Sequence, residues 1–146
     1  MEGYLSKTKY DELYEQSIHN PETFWANQAD RFVSCIKPWS SVLTGSFATH
    51  DTRWYEGGQL NACYNCLDRH LEKRANQTAI IWQGDELSHS KHITYSELHR
   101  SVCQFANVLK KRGVKKGDRV CIYMPMIPEA AIAMLACGFF KNSVNY

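Results

Sequence analysis

The sequence predicts an α/β protein: a helical and irregular covering segment, then the first strand–helix–strand–helix units of a parallel sheet that is incomplete within the chain. Three observations carry this. Apolar residues recur at steps of three and four near the N-terminus and again between Leu98 and Leu109, the spacing of one helix face. Two runs, 78–82 (Thr-Ala-Ile-Ile-Trp) and 120–124 (Val-Cys-Ile-Tyr-Met), have the composition of strands, the second apolar at every position as in a strand buried on both faces. Between them lies a helical pattern of the kind that joins parallel strands by a right-handed crossover.

Taken in order, Tyr10, Leu13, Tyr14 and Ile18 form a helical stripe of about two turns. Asn20-Pro21-Glu22 restarts the chain as a second helix, because an Asn side chain accepts from free amides at a helix start and Pro at the first position has no N–H to lose. Phe24, Trp25, Gln28 and Phe32 give it one mostly aromatic face, and Lys37-Pro38-Trp39 stops it. The stretch 40–60, with Gly45, Gly57 and Gly58 among Trp, Tyr and Phe, shows no period and reads as an ordered covering segment, since flexible linkers are poor in aromatics. Asn61 caps a third helix expected to run unbroken to about Arg74, with Ala62, Cys63, Cys66, Leu67, His70 and Leu71 along one side.

After the strand 78–82, a second short strand at 92–94 is placed to pair with it. Thr94-Tyr95-Ser96-Glu97 is a capping box, opening a helix to about Arg112 whose Leu98, Val102, Phe105, Ala106 and Leu109 share a face and which Gly113 ends. The turn Lys115-Lys116-Gly117-Asp118 leads into the predicted parallel strand 120–124, and Pro128-Glu129 starts a last helix that is apolar all round. Such a strand and such a helix need neighbours on every side, and the tail 138–146 offers no further periodic element. The chain therefore reads as the beginning of a larger α/β protein.

With 146 residues, 44% hydrophobic and 22% charged, the composition excludes long-range disorder and coiled-coil arrays. A net charge of +2 does not mark the whole molecule as a nucleic-acid or anionic-membrane binder. The longest apolar run, 130–140, falls short of the roughly 20 residues a bilayer span needs. The first residues lack the charged-then-apolar order of a secretory signal, so the cytoplasm is the expected compartment. The six cysteines are accordingly expected to be reduced, buried small side chains.

Cys63-x-x-Cys66-x-x-x-His70 has ligand types that zinc uses, but a closed site needs four ligands and the spacing is equally that of a core-facing stripe, which is the reading adopted. Lys110, Lys111, Arg112, Lys115 and Lys116 form a basic cluster suited to phosphate, yet cations at a helix C-terminus are favoured by the helix dipole and read as a solvated end. His50 with Asp51, Asp68 with His70, and Glu97 with His99 are carboxylate–imidazole pairs close in sequence, with no nucleophile marked beside them. No Gly-rich phosphate-cradling pattern occurs. No catalytic, cofactor-binding or metal-ligating residue is therefore assigned.

The segment from Trp54 to His70, Trp-Tyr-Glu-Gly-Gly-Gln-Leu-Asn-Ala-Cys-Tyr-Asn-Cys-Leu-Asp-Arg-His, closely resembles the N-terminal signature of AMP-forming acetyl-CoA synthetases. Asn20-Pro21-Glu22-Thr23-Phe24-Trp25, Thr78-Ala79-Ile80-Ile81-Trp82, Lys91-His92-Ile93-Thr94-Tyr95 and the run from Gly117 to Pro125 resemble it too, in order, so that the likeness extends from about Tyr10 to Cys137. It implies an N-terminal segment over 1–76, the start of an AMP-binding (adenylate-forming) large domain over 77–137, and a divergent tail over 138–146. It implies a parent enzyme that uses ATP, magnesium and coenzyme A to convert acetate to acetyl-adenylate and then to acetyl-CoA. In that family the phosphate loop, the adenine and magnesium motif, the ribose-binding Asp and the catalytic Lys lie downstream, so none maps onto this chain, which is expected to be inactive alone. After Cys137 the family pattern is left abruptly, which reads as a truncation or change of frame. Self-association through the unpaired sheet edge is expected. The alternative is a stable non-catalytic module that binds a partner protein through that edge and the apolar last helix.

Overall fold

A computed structural model describes residues 5–139, which divide into two compact units, one ending at Gln59 and the other beginning at Leu60. The expected tail thus lies, from residue 140 onward, outside the described residues.

In the first unit, α1 (Lys7–His19) begins earlier than its apolar stripe because the Ser6 hydroxyl accepts from the Lys9 N–H at 3.2 Å. α2 (Pro21–Phe32) starts at the predicted proline, but Asn20 makes no side-chain cap. It serves as the last residue of the α1 turn, its N–H donating to the Gln16 carbonyl at 2.9 Å, and its φ of −133° and ψ of 56° differ from ordinary capping geometry. The helix ends at Phe32, where Val33 becomes extended, so Pro38 is not what stops it.

The segment after α2, including the aperiodic stretch 40–60, contains strands. β1 (Cys35–Lys37), β2 (Ser41–Thr44), β3 (Arg53–Glu56) and β4 (Gln59–Leu60) are two to four residues long, too short for an alternating pattern to register in the sequence. β2 and β3 pair antiparallel, Leu43 opposite Trp54, with Val42 buried. Gly45, at φ +75°, is required at the turn between them: a Cβ there would lie 2.5 Å from the Asp51 carbonyl oxygen. The aromatics pack on one another, Trp25 edge-on to Trp54 at 6.3 Å and Trp39 on Tyr55 at 5.2 Å, while the Tyr55 hydroxyl donates to the Trp25 carbonyl at 3.0 Å.

In the second unit the predicted third helix is broken. α3 (Ala62–Cys66) starts as expected, Asn61 Oδ1 accepting from the Tyr64 N–H at 2.9 Å. Leu67, at φ −131° and ψ −69°, leaves helical geometry, and a 3-10 turn (Asp68–His70) precedes α4 (Leu71–Arg74). The break seats Leu67 in the core without a trace of exposure. β5 (Thr78–Gln83) and β6 (Ser90–Thr94) pair antiparallel, Ile81 opposite His92. α5 (Tyr95–Lys111) carries the full capping box: Thr94 Oγ1 accepts from the Glu97 N–H at 3.2 Å and Glu97 Oε2 accepts from the Thr94 N–H at 2.8 Å. Gly113, at φ +86°, follows its end.

Two expectations about the C-terminal third are corrected. The run 120–124 belongs to no strand and so joins no sheet, parallel or antiparallel. A ladder needs a partner strand; here Tyr123 is wholly exposed and Ile122 half-buried. The last helix, α6 (Pro128–Phe139), is not left without partners: it packs on α5 and α3, burying Ala133 and Ala136. Its small alanines permit this close approach. The core of the unit gathers Cys63, Leu67, Ile93, Leu98, Val102, Ala106 and Ala136. The fold is a mixed helix-and-strand one, as expected.

Candidate functional site

The break at Leu67 governs the fate of Cys63, Cys66 and His70. Cys63 is buried at 1% exposure, whereas Cys66 is exposed and His70 half-buried against the Tyr95 ring at 5.6 Å. Three residues that would share one side of a continuous helix do not converge. Nor are the cysteines uniformly buried: Cys35, Cys66 and Cys121 are exposed, Cys103 and Cys137 half-buried, and all are free thiols.

The structure instead brings together Cys63, Asp68, His99 and Cys103, from α3, the 3-10 turn and α5. Asp68 places Oδ2 3.9 Å from the Cys63 sulfur and Oδ1 3.5 Å from His99 Nε2, and the same Nε2 lies 3.5 Å from the Cys103 sulfur. His99 and Cys103 are four apart on α5 and so share a face. Asp68 pairs with neither His70 nor a local base, and Glu97 is taken up by the capping box, so sequence proximity mispaired both carboxylates.

What this cluster does chemically follows from its geometry. An activated thiol requires an imidazole that takes the proton at one nitrogen while its other nitrogen is held by a carboxylate. Here one nitrogen faces both partners, and Nδ1 is 4.0 Å from the sulfur. Burial, and after it the Asp68 charge, push the Cys63 thiol up to about 12 and the Cys103 thiol upward in the same direction. Protonated thiols are poor nucleophiles and poor ligands. Among the described residues no group of three or more His, Cys, Asp or Glu is placed to hold a metal ion. The cluster is a polar link between the 3-10 turn and α5.

The other sequence candidates are occupied locally. The Asp51 carboxylate accepts from the Thr49 hydroxyl and from the Ser46 N–H, which hold its carboxyl below the usual range, so it organises the loop after Gly45 and is not paired with His50. The cations Lys110, Lys111, Arg112, Lys115 and Lys116 are exposed around the end of α5, where the helix dipole favours them. A shallow hollow of about 380 Å³ lies against β6, α5 and α6, lined among others by Lys91, His92, Arg100 and Glu129.

Residues 10–66 match the family described as the acetyl-coenzyme A synthetase N-terminus, and residues 67–140 match the AMP-binding enzyme family. The chain is 60% identical over 136 residues to acetyl-coenzyme A synthetase 2 of Pseudomonas aeruginosa, covering 93% of this chain and 21% of that protein. It is 54% identical over 136 residues to acetyl-coenzyme A synthetase of Alkalilimnicola ehrlichii, with the same coverage of 93% and 21%. The fold is similar to acetoacetyl-CoA synthetase from Streptomyces lividans, with a TM-score of 0.78 and 32% identity over 90% of this chain and 20% of that one. The chain thus spans about a fifth of the length of the relatives it matches.

Proposed function

Because the chain belongs to the AMP-binding enzyme family, within its acetyl-CoA synthetase branch, we propose that it is the N-terminal portion of an enzyme that activates acetate and that these 146 residues alone catalyse neither step. In the whole enzyme, acetate displaces pyrophosphate from ATP to give acetyl-adenylate, and the thiol of coenzyme A then displaces AMP. The observation that supports this reading is an identity of 54–60% that runs through 93% of the chain yet reaches only 21% of each relative.

The residues present do not fit the nucleotide or its magnesium. Magnesium asks for several oxygen ligands. The cluster of Cys63, Asp68, His99 and Cys103 holds one carboxylate among thiols that burial keeps protonated. The sequence has no loop to cradle a triphosphate. In this reading no step of the reaction is assigned to a residue of this chain, whose part is to build and support the fold. No helix among the described residues is long and apolar enough to cross a membrane.

A chimera tests this reading. This chain, put in place of the matched 136 residues of the Pseudomonas aeruginosa relative, should retain acetate-dependent exchange of labelled pyrophosphate into ATP within about tenfold, one decade being about 1.4 kcal/mol of barrier. The chain alone should give none above a no-enzyme blank. A folded but inactive chimera, or exchange by the chain alone, would overturn it.

A further inference from the structure

The two cysteines of α3 sit on one turn in opposite surroundings. Cys63, the second residue of the helix, is buried at 1% exposure, whereas Cys66, its last residue, is exposed. The Leu67 N–H donates to the Cys63 carbonyl at 2.9 Å, which closes the turn between them. Three steps along an α-helix place Cα atoms about 5 Å apart, within the range of about 4.4–6.8 Å that a disulfide spans. Burial raises the Cys63 thiol first, the Asp68 charge next and the Cys66 sulfur after them, so the two thiols sense each other.

We propose that Cys63 and Cys66 form a redox-sensitive switch, closed to a disulfide by a hydroperoxide and reopened by a dithiol. The Cys66 thiolate attacks the peroxide: an S–O bond forms, the O–O bond breaks, and the departing oxygen takes a proton and leaves as alcohol or water. Cys63 then attacks the sulfenic sulfur: the S–S bond forms, the S–O bond breaks, and the hydroxide departs with the Cys63 proton as water. Two thiols lose two electrons and the peroxide gains them. Cys63 is shielded from outside reagents and reacts here because its target is held on the same turn. The consequence falls on α6. Cys63 lies against Gly138, where a Cβ would stand 3.7 Å from the Cys63 Cβ, and Asn61 Nδ2 holds the Gly138 carbonyl at 3.0 Å. Turning the Cys63 sulfur toward the surface gives up its contact with Asp68 and empties its place in the core. The oxidised chain therefore holds the end of α6 less firmly.

The test treats the full chain with hydrogen peroxide, blocks remaining thiols with N-ethylmaleimide and digests it with trypsin. The peptide 54–69 carries Cys63 and Cys66 and no other cysteine; it should lose the mass of two hydrogens and take no label. By circular dichroism the oxidised chain should melt lower than the reduced one, and dithiothreitol should restore both the mass and the melting temperature. Cys66→Ser, at an exposed position, should abolish the mass loss and the dithiol-reversible shift. Cys63→Ala should let Cys66 run on to sulfinic and sulfonic acid. Three results, all read from the unaltered chain, would each overturn the proposal: Cys66 overoxidised with no loss of hydrogens, Cys63 linked to a cysteine other than Cys66, or an oxidised chain that melts with the reduced one.

Discussion

Cys63 shows how much a single buried residue reports. Its thiol is driven up to about 12, first by burial and then by the Asp68 carboxylate, from an ordinary value of 9.0. In the unfolded chain the thiol ionises near that ordinary value, so between about pH 9 and 12 the unfolded state binds fewer protons than the native one. Stability contributed by the neutral buried thiol is full below pH 9 and falls as pH rises, by at most about 1.4 kcal/mol per pH unit. Urea unfolding from pH 8 to 11 should show this slope, and Cys63→Ala should lessen it. With a soft alkylating reagent at pH 7.5, mass spectrometry should find exposed Cys66 and Cys121 modified first and Cys63 last. A chain that labelled Cys63 as fast as Cys66 would contradict the burial. The meeting of Asp68 and His99 was illegible in the sequence, because they are 31 positions apart and only the break at Leu67 turns one toward the other.

At the scale of elements, legibility depended on where the causes lie. Both halves of the Thr94–Glu97 box sit within four residues, so the start of α5 could be read directly. Thr94→Ala should cost about 0.5–2 kcal/mol in chemical denaturation, with Thr94→Ser near neutral. Hydrogen bonds from Thr94 hold the Glu97 carboxyl below its usual range, so its share of the cap is present above the unfolded value and is lost as pH falls through the lower folded one. The break in the third helix could not be read, since the apolar period continues through Leu67 and only the tertiary core prefers that residue turned inward. Leu67→Ala should therefore be among the costly substitutions, about 2–5 kcal/mol by denaturant midpoint, while Tyr64→Ala on the exposed side of α3 should cost little. The strands 41–44 and 53–56 escaped notice because four residues hold too few alternations to stand out. The run 120–124 misled in the opposite sense: its apolarity announces a strand, but a strand exists only where a neighbour accepts its hydrogen bonds.

For the whole molecule, the packing of α6 decides what its removal would do. Ending the chain at Lys116 would strip Ala133 and Ala136 from a core that contains Cys63, Leu67 and Val102. Uncovering even a few hundred Å² of such surface forgoes several kcal/mol, comparable with the net stability of a domain. The shortened chain should melt lower and be less soluble than the full one, measured by circular dichroism and by the supernatant fraction after centrifugation. Equal or better solubility would show that α6 contributes nothing to the core.

The closure of that core also sets a clock. Asn61 Nδ2 donates to the Gly138 carbonyl at 3.0 Å across a sequence separation of 77. During synthesis at roughly 5–20 residues per second, about 4–15 s therefore pass between the making of one partner and the making of the other. From the completion of α5 at Lys111 until Gly138 is made, the last third or so of that interval, the nascent chain carries α3 and α5 with their shared apolar face uncovered.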